Sequence, residues 1–264
     1  MRPNVNSIGI VIVNFHNPNE TLACVKSLEN VEKKHLRTTF YIVDNGGTAI
    51  SSKSLSKKLP QAQIINSRNN VGYSKGCNLG IKAAIKNGAG YILLINPDTT
   101  VNSKRFLSEL IGMGSDLTSP LIQYRQNNRL VYDFGGKIDY LFGRNTHLRS
   151  GKKTVHLGIP DYFSGACILI KNSVFKKIGY LDENYFLYYE DADFCLRAIE
   201  AGFTQKLCRK VVIFHRLSTT TNKLGHEKIR ILANSHLRFC RKHLSWIFAP
   251  FYIFFNLFLR AKTL

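Results

Sequence analysis

Four times in its first 112 residues the chain passes from a short apolar run to a stretch of helical character, with only a few residues between them. Ile8-Gly-Ile-Val-Ile-Val13 is continuous and β-branched, as in a strand buried on both faces. Asn17-Pro18-Asn19-Glu20 then supplies a capping residue, a proline for the first turn and a glutamate three residues past the cap, predicting a helix to about Glu29. Phe40 to Val43 reads as a second strand, closed by Asp44-Asn45-Gly46-Gly47, with a helix over Ser51 to Leu59. Gln63 to Asn66 is a third strand, and Ser74 to Lys86 a helix closed by Asn87-Gly88. Tyr91 to Ile95 is a fourth strand, ending in Asn96-Pro97-Asp98, and Ser103 to Gly112 a further helix. Such alternation calls for a parallel sheet covered on both faces, whose ligands bind beyond the carboxyl ends of the strands. Asn14, Asp44 and Asp98 each fall at one of those ends.

Residues 119–161 offer little regular pattern. Ala166 to Lys171 is predicted as a strand, Ser173 to Ile178 and Glu190 to Ala201 as helices, and Val211 to Phe214 as a strand. Apolar residues from Ile229 to Leu244 recur at helical spacing. At 264 residues, 44% hydrophobic and 11% aromatic, the chain is folded rather than disordered, as one α/β domain or one domain with an appendage. Its six cysteines are scattered singly, without a metal or redox pair, and read as reduced thiols of a cytosolic protein.

The net charge of +20 is uneven: residues 201–264 carry 12 basic side chains and one acidic, so 11 of the 20 charges lie there. Beside them runs Trp246 to Leu259, rich in phenylalanine and flanked by Arg241 and Lys242 before and by Arg260 and Lys262 after. Fourteen helical residues reach about 21 Å against a hydrocarbon core of roughly 30 Å, and Pro250 and Asn256 interrupt the run. This suits a segment lying in the membrane headgroup region, the alternative being a terminal helix packed on the domain or on a second subunit as in a homodimer. The apolar start, Ile8 to Val13, is too short for a signal peptide. Nucleic acid is not expected as a partner, because the basic excess adjoins an apolar segment rather than interleaving with exposed aromatics.

Three segments carry candidate chemistry. Glycines at every fourth position from Gly72 through Gly76 to Gly80 imply a close approach to the helix backbone, by a neighbouring strand or by a ligand. Asp98 caps a turn or, beside a diphosphate, ligates a hard divalent cation. Glu190, Asp191 and Asp193 crowd one helix start, where they complement the helix dipole, and Asp193 can pair with Arg197. Aromatic residues before them suit a carboxyl of raised pKa, as a general base needs. His215, at a strand end, reads alone as a structural histidine.

Taken in order, Val11-Ile-Val-Asn-Phe15, Val43-Asp-Asn-Gly46, Asn70-x-Gly72-Tyr73-x-x-Gly76-x-Asn78-x-Gly80, Leu94-x-Asn96-Pro97-Asp98, Ser164-Gly165-Ala166, and Gly179 through Asp193 to Gly202 with His215 resemble the family 2 glycosyltransferases. The resemblance covers roughly residues 8–243 and is strongest to the rhamnosyltransferase-like branch that builds bacterial O-antigen and similar surface polysaccharides. It implies the GT-A fold, a Rossmann-like, mostly parallel central sheet flanked by helices, here with a basic and aromatic helical appendage. The implied catalytic domain spans 1–223, with a nucleotide-binding half to about 100 and an acceptor half to 223; 224–264 would form membrane-interfacial helices.

Residue by residue, the resemblance implies that Val13, Asn14, Asp44 and Asn45 hold the donor's base and ribose, and that Asn70, Gly72, Gly76 and Asn78 line the nucleotide pocket. Asn96 and Asp98 would meet the diphosphate, Asp98 and His215 a divalent cation (Mg²⁺ or Mn²⁺), and Asp191 would be the base of an inverting transfer, supported by Glu190. Many relatives carry an aspartate where this chain has Asn96, and a neutral residue weakens that side of the metal site. The donor expected first is dTDP-rhamnose, with a UDP-hexose or UDP-galactofuranose as alternative. The expected acceptor is a polyprenyl-diphosphate-linked saccharide at the inner face of the cell membrane. The competing reading of a catalytically idle subunit is disfavoured by the intact Asp98, Glu190, Asp191 and His215.

Overall fold

The computed structural model describes residues 4–33, 35–155, 157–217 and 225–261. Lys262, one of the basic residues flanking the apolar tail, lies outside them.

Strands β1 (Asn4–Asn14), β2 (Arg37–Asp44), β3 (Ala62–Asn66) and β4 (Ala89–Ile95) pair in parallel, in the order β3-β2-β1-β4. Their register brings Asn14 beside Asp44 and Asp44 beside Asn66, so the polar strand ends share one edge. Ile8, Ile10, Val11 and Ile12 are almost wholly buried, as their continuous apolar run requires. Helices α1 (Pro18–Glu29), α2 (Ala49–Lys58) and α3 (Tyr73–Lys86) are the crossovers. The expected side-chain cap at Asn17 does not form. Thr21 instead ties the first turn of the helix to the end of β1, donating its hydroxyl to Asn14 Oδ1 at 2.9 Å, while its N–H reaches Asn17 O. A Cβ on Gly80 would stand 2.5 Å from Val11 Cγ1, and one on Gly76 3.1 Å from Val13 Cγ1. The approach that these glycines permit is therefore that of strand β1.

Beyond β4 the sheet becomes mixed. After β5 (Thr99–Val101) and α4 (Phe106–Gly112) come β6 (Leu117–Gln126), β7 (Arg129–Asp139) and β8 (Arg144–Ser150), where the sequence offered no pattern. Asn127 and Asn128, with φ of 49° and 61°, make the two-residue turn between Gln126 and its partner Arg129. β8 has no fully buried residue, so no apolar periodicity marks it. β9 (Cys167–Lys171) lies antiparallel between β4 and β6, and α5 (Asn172–Ile178) and α6 (Glu190–Glu200) follow. β10 (Gln205–His215) runs parallel to β6 and carries β5 on its other edge.

Helix α7 (Gly225–His243) buries Ala233, Phe239 and Cys240 against this body. Ser235 donates to Leu187 O, Arg238 pairs with Asp182, and Lys242 and His243 both reach Asp193. A turn at Trp246–Phe248 leads to α8 (Ala249–Ala261), anchored by Asn256, whose amide meets Ala233 O and His236 Nδ1 of α7. All six cysteines are buried thiols.

Candidate active site

A cavity of about 570 Å³ opens beyond the carboxyl ends of β1 and β4. Val13, Asn45, Asn70, Gly72, Asn96, Asp98, Glu190, Asp191 and His215 line it, brought together from across the chain. Asn14, Asp44, Gly76 and Asn78 do not. Asn14 donates to Asp44 Oδ1 at 2.8 Å, and the hydroxyls of Ser51 and Ser52 donate to Asp44 Oδ2 at 2.6 and 2.7 Å. Both residues are buried and paired inside the protein. Asn78 instead ties α3 to the segment before α6, exchanging hydrogen bonds with the Leu181 backbone.

The donor-side wall is a loop held by side chains. Asn45 donates to Asn70 Oδ1 and Gly72 O, each at 3.1 Å, and accepts from the Val71 N–H at 2.9 Å. Gly72 has φ +83°, and a Cβ there would lie 2.6 Å from Phe186 O, so only glycine lets the two loops meet. The next residue bridges further: Tyr73 N donates to Phe186 O, and its hydroxyl lies 2.9 Å from both Asn96 Oδ1 and Gly165 O.

Asp98 follows the Asn96-Pro97 turn, which Thr99 pins by donating its hydroxyl to Asn96 O at 2.7 Å. His215, at the end of β10 and level with Thr99, reaches Asp98 Oδ1 with Nε2 at 3.1 Å. Glu20 of α1 lines the same corner. Its carboxyl is raised by burial and by the charge of Asp98. No group of three His, Cys, Asp or Glu side chains converges on a metal position among the described residues. One carboxylate and one imidazole meeting in a pocket nevertheless fit a hard cation whose remaining ligands are substrate phosphate oxygens and water.

On the far wall, Tyr188 and Tyr189 both take left-handed backbone conformations, with φ of 70° and 68°. This turn sends Glu190 and Asp191 into the cavity at the start of α6. Asp191 Oδ2 accepts from the Gly165 N–H at 3.0 Å and Oδ1 from the Ala192 N–H at 2.8 Å. Burial raises its pKa, against the opposing pull of these donors and of His147. Glu190 is 5% exposed and its Oε2 meets no hydrogen-bond partner among the described residues. Burial, then the neighbouring Asp191 charge, push its carboxyl up to about 8. Glu190 therefore keeps its proton to higher pH than an ordinary carboxyl, while the two backbone donors favour the charged form of Asp191. Asp193 points away, paired with Arg197 at 2.8 Å as its spacing predicted. Burial would raise its pKa, but His243 and Arg197 hold it below the ordinary value.

Sequence reasoning missed the contribution of β6 to β8. Tyr124, Asp133, His147 and Arg149 all line the cavity. His147 Nδ1 meets Asp133 Oδ2 at 2.8 Å, and this carboxylate outweighs burial to raise the imidazole's pKa. The turn residues Asn127-Asn128 were the available signal for the hairpin of β6 and β7.

Comparison with known proteins now bears on these walls. The family model for glycosyl transferase family 2 matches residues 9–179, from the first strand through α5. The chain belongs to that family. This family 2 glycosyltransferase is 28% identical over 231 residues to the low-salt glycan biosynthesis hexosyltransferase Agl10 of Haloferax volcanii, covering 80% of this chain and 67% of that one. It is 22% identical over 245 residues to the N-acetylglucosaminyl-diphospho-decaprenol L-rhamnosyltransferase of Mycobacterium tuberculosis, covering 78% of each. Among solved structures, GalNAc-T7 with UDP, GalNAc and Mn²⁺ superposes with a TM-score of 0.63 at 14% identity, over 80% of this chain. The chain spans only 43% of that structure's length. The mannosyltransferase PcManGT of Pyrobaculum calidifontis, with GDP-Man and Mn²⁺, gives 0.61 at 9% identity, over 100% of this chain and 73% of that one. These similarities make the fold GT-A, as the sequence resemblance implied.

Proposed function

We propose that this glycosyltransferase moves a sugar, first choice rhamnose from dTDP-rhamnose, onto a polyprenyl-diphosphate-linked saccharide with inversion at the anomeric carbon. The observation that carries the reading is the arrangement of one cavity. Asp98 with His215, Asp191, and the Asn45-held loop of Asn70 and Gly72 line it together. The name of the decaprenol-linked rhamnosyltransferase supports the rhamnosyl group and the lipid-linked acceptor. A UDP-hexose is the alternative donor, favoured by the hexosyltransferase relative.

Asp191, held by two backbone N–H groups that favour its charged form, takes the proton of the acceptor hydroxyl as it attacks. Glu190, protonated beside it, keeps a second negative charge out of the site. Asp98 and His215 would hold the divalent cation, Mg²⁺ or Mn²⁺, which supplies charge stabilisation to the departing diphosphate. Arg149 and Lys228, on the cavity wall, add positive charge.

The acceptor's lipid implies a membrane surface, which the C-terminal element suits. Trp246, Phe254 and Leu257 are 83%, 71% and 60% exposed, while Tyr252 and Asn256 of the same segment are buried on α7. We place this outward side in the headgroup region of the inner membrane face, with the basic residues of α7 beside it. No helix among the described residues is long and apolar enough to cross a membrane. The deciding experiment is a thermal-shift panel of dTDP-, UDP- and GDP-sugars with and without Mg²⁺ or Mn²⁺. A cation-dependent rise in melting temperature with dTDP-rhamnose is expected, by mass action on the native state. No shift with any nucleotide sugar would sink the reading.

A further inference from the structure

Three residues of α7 hold the strained turn that presents the acid pair. Ser235 Oγ donates to Leu187 O at 2.8 Å, and the rings of His236 and Phe239 lie 5.9 and 5.1 Å from that of Tyr189. Tyr188 and Tyr189 both have positive φ, and such strain persists only where neighbouring groups over-determine it.

His236 is tied in turn to two further elements. Its Nε2 lies 2.8 Å from Phe142 O, in the turn between β7 and β8, and its Nδ1 lies 3.2 Å from Asn256 Nδ2 of α8. A carbonyl oxygen only accepts, so Nε2 carries the hydrogen, and the neutral ring leaves Nδ1 to accept from the Asn256 amide. Turning that amide over would forfeit a bond, because Nδ2 also donates to Ala233 O. The ring meets Phe255 of α8 as well, at 5.2 Å. His236 and Asn256 are both buried, and the seam is tight. Gly143 takes φ +68°, and a Cβ there would overlap Cys240 Sγ and stand 3.3 Å from His236 Nε2. Only the neutral imidazole satisfies all of these partners. Its titratable and charged neighbours are Cys240, with Sγ 3.3 Å from Nε2, Tyr189, and Arg144, which lies over the rings of Phe142 and Phe255. No carboxylate pairs with it among the described residues, and burial holds its pKa below the usual histidine value against the pull of Phe142 O.

We propose that His236 is a positioning residue for the acid pair: it locks α8 and the turn between β7 and β8 onto Tyr189, and so fixes the turn that aims Glu190 and Asp191 into the cavity. That these acids are catalytic rests on the glycosyl-transfer reading. Helix α8, whose outward side carries the exposed Phe254 and Leu257, thereby reaches the acids through an imidazole. The test follows the Glu190 carboxyl by ¹³C NMR on the full chain labelled at glutamate, its signal identified by its loss in Glu190→Gln. The titratable neighbours of Glu190 are Asp191 and Asp193 on its own helix and Tyr73 and Cys77 of α3, all unchanged in the positioning variants. A loosened turn admits water to Glu190, so its titration midpoint should fall by about one pH unit or more in His236→Phe, which keeps a ring but neither hydrogen bond, and in Asn256→Leu. His236→Gln retains a donor and an acceptor and should move it less. Calorimetry should find UDP and dTDP binding unchanged in each variant, and ring ¹⁵N shifts should show wild-type His236 neutral at pH 7 with its hydrogen on Nε2. Should His236→Phe fail to fold, Asn256→Leu and the ring shifts decide. A midpoint at the wild-type value in either folded variant, a larger shift in His236→Gln than in His236→Phe, or a His236 ring that is charged or carries its hydrogen on Nδ1 overturns the positioning role alone. So does lost nucleotide binding in a folded variant, since the whole cavity would then have loosened. Failure of the wild-type protein to bind either nucleotide overturns the functional reading, and with it any catalytic purpose for the turn.

Discussion

Two consecutive tyrosines in the left-handed region cost about 1–3 kcal/mol each, and here that strain aims two carboxyls into one cavity. The residues differ in their neighbours more than in their chemistry. Asp191 accepts two backbone N–H groups that favour its charged form, and Glu190, with an orphan oxygen, holds its proton more tightly than an ordinary carboxyl. Asp191→Asn is expected to lower sugar transfer by about 10² to 10⁴ while nucleotide binding stays within error, measured by turnover and calorimetry. Retention of a tenth of wild-type turnover would remove Asp191 as the base. Glu190→Gln should cost less, and the opposite ranking would move the base to Glu190. Glu190 also sets a pH dependence. Its pKa rises from 4.5 unfolded to about 8 folded, so its contribution is fully present below 4.5 and is lost as pH rises through 8. Glu190→Gln should therefore melt higher than wild type at pH 8.5 but not at pH 4.5; parallel melting curves for the two proteins across that range would contradict the assignment.

Between elements, the loops that shape the site are held by close contacts and by ion pairs. Gly72 and Gly88 have nearly the same φ, +83° and +82°, yet a Cβ on Gly72 would meet Phe186 O at 2.6 Å and one on Gly88 would meet nothing. Alanine at either position pays the left-handed strain, roughly 1–2 kcal/mol. Only Gly72→Ala should also push the Phe186 to Asp191 segment and depress turnover. Equal urea midpoints and equal turnover in the two variants would show that the loop contact carries nothing. Asp193, buried at the start of α6, takes Arg197 of its own helix together with Lys242 and His243 of α7. Helix α7 thereby braces the same element that presents Asp191.

Over the whole molecule, charge and apolar surface coincide at the C-terminal end. Each basic residue near an anionic leaflet contributes on the order of 1 kcal/mol, and exposed aromatic side chains add burial. Replacing Trp246, Phe254 and Leu257 together by serine should release the protein from anionic liposomes in a sedimentation assay. The melting temperature should be unchanged, because these side chains are exposed. Unchanged sedimentation would move the membrane contact to α7. A shift from dimer to monomer on gel filtration would make this surface a subunit interface instead.

The strands β1 to β4, their crossover helices and the order of motifs were legible because each is a local matter: periodicity, turn residues and short spacings act within a few residues of themselves. The acid cluster at the head of α6 and the Asp193–Arg197 pair were legible for the same reason. Which of the polar strand-end residues face a ligand was not. Asn14 and Asp44 satisfy each other and two serines, so they turn inward, while Asp98 meets His215 from 117 positions away. The hairpin of β7 and β8 escaped because its rim strand has no buried side to imprint an apolar pattern. Its histidine, His147, meets a carboxylate only where β7 sets Asp133 beside it. Local propensity thus determined the scaffold, and tertiary packing decided which polar groups are consumed by the fold and which are left facing the cavity.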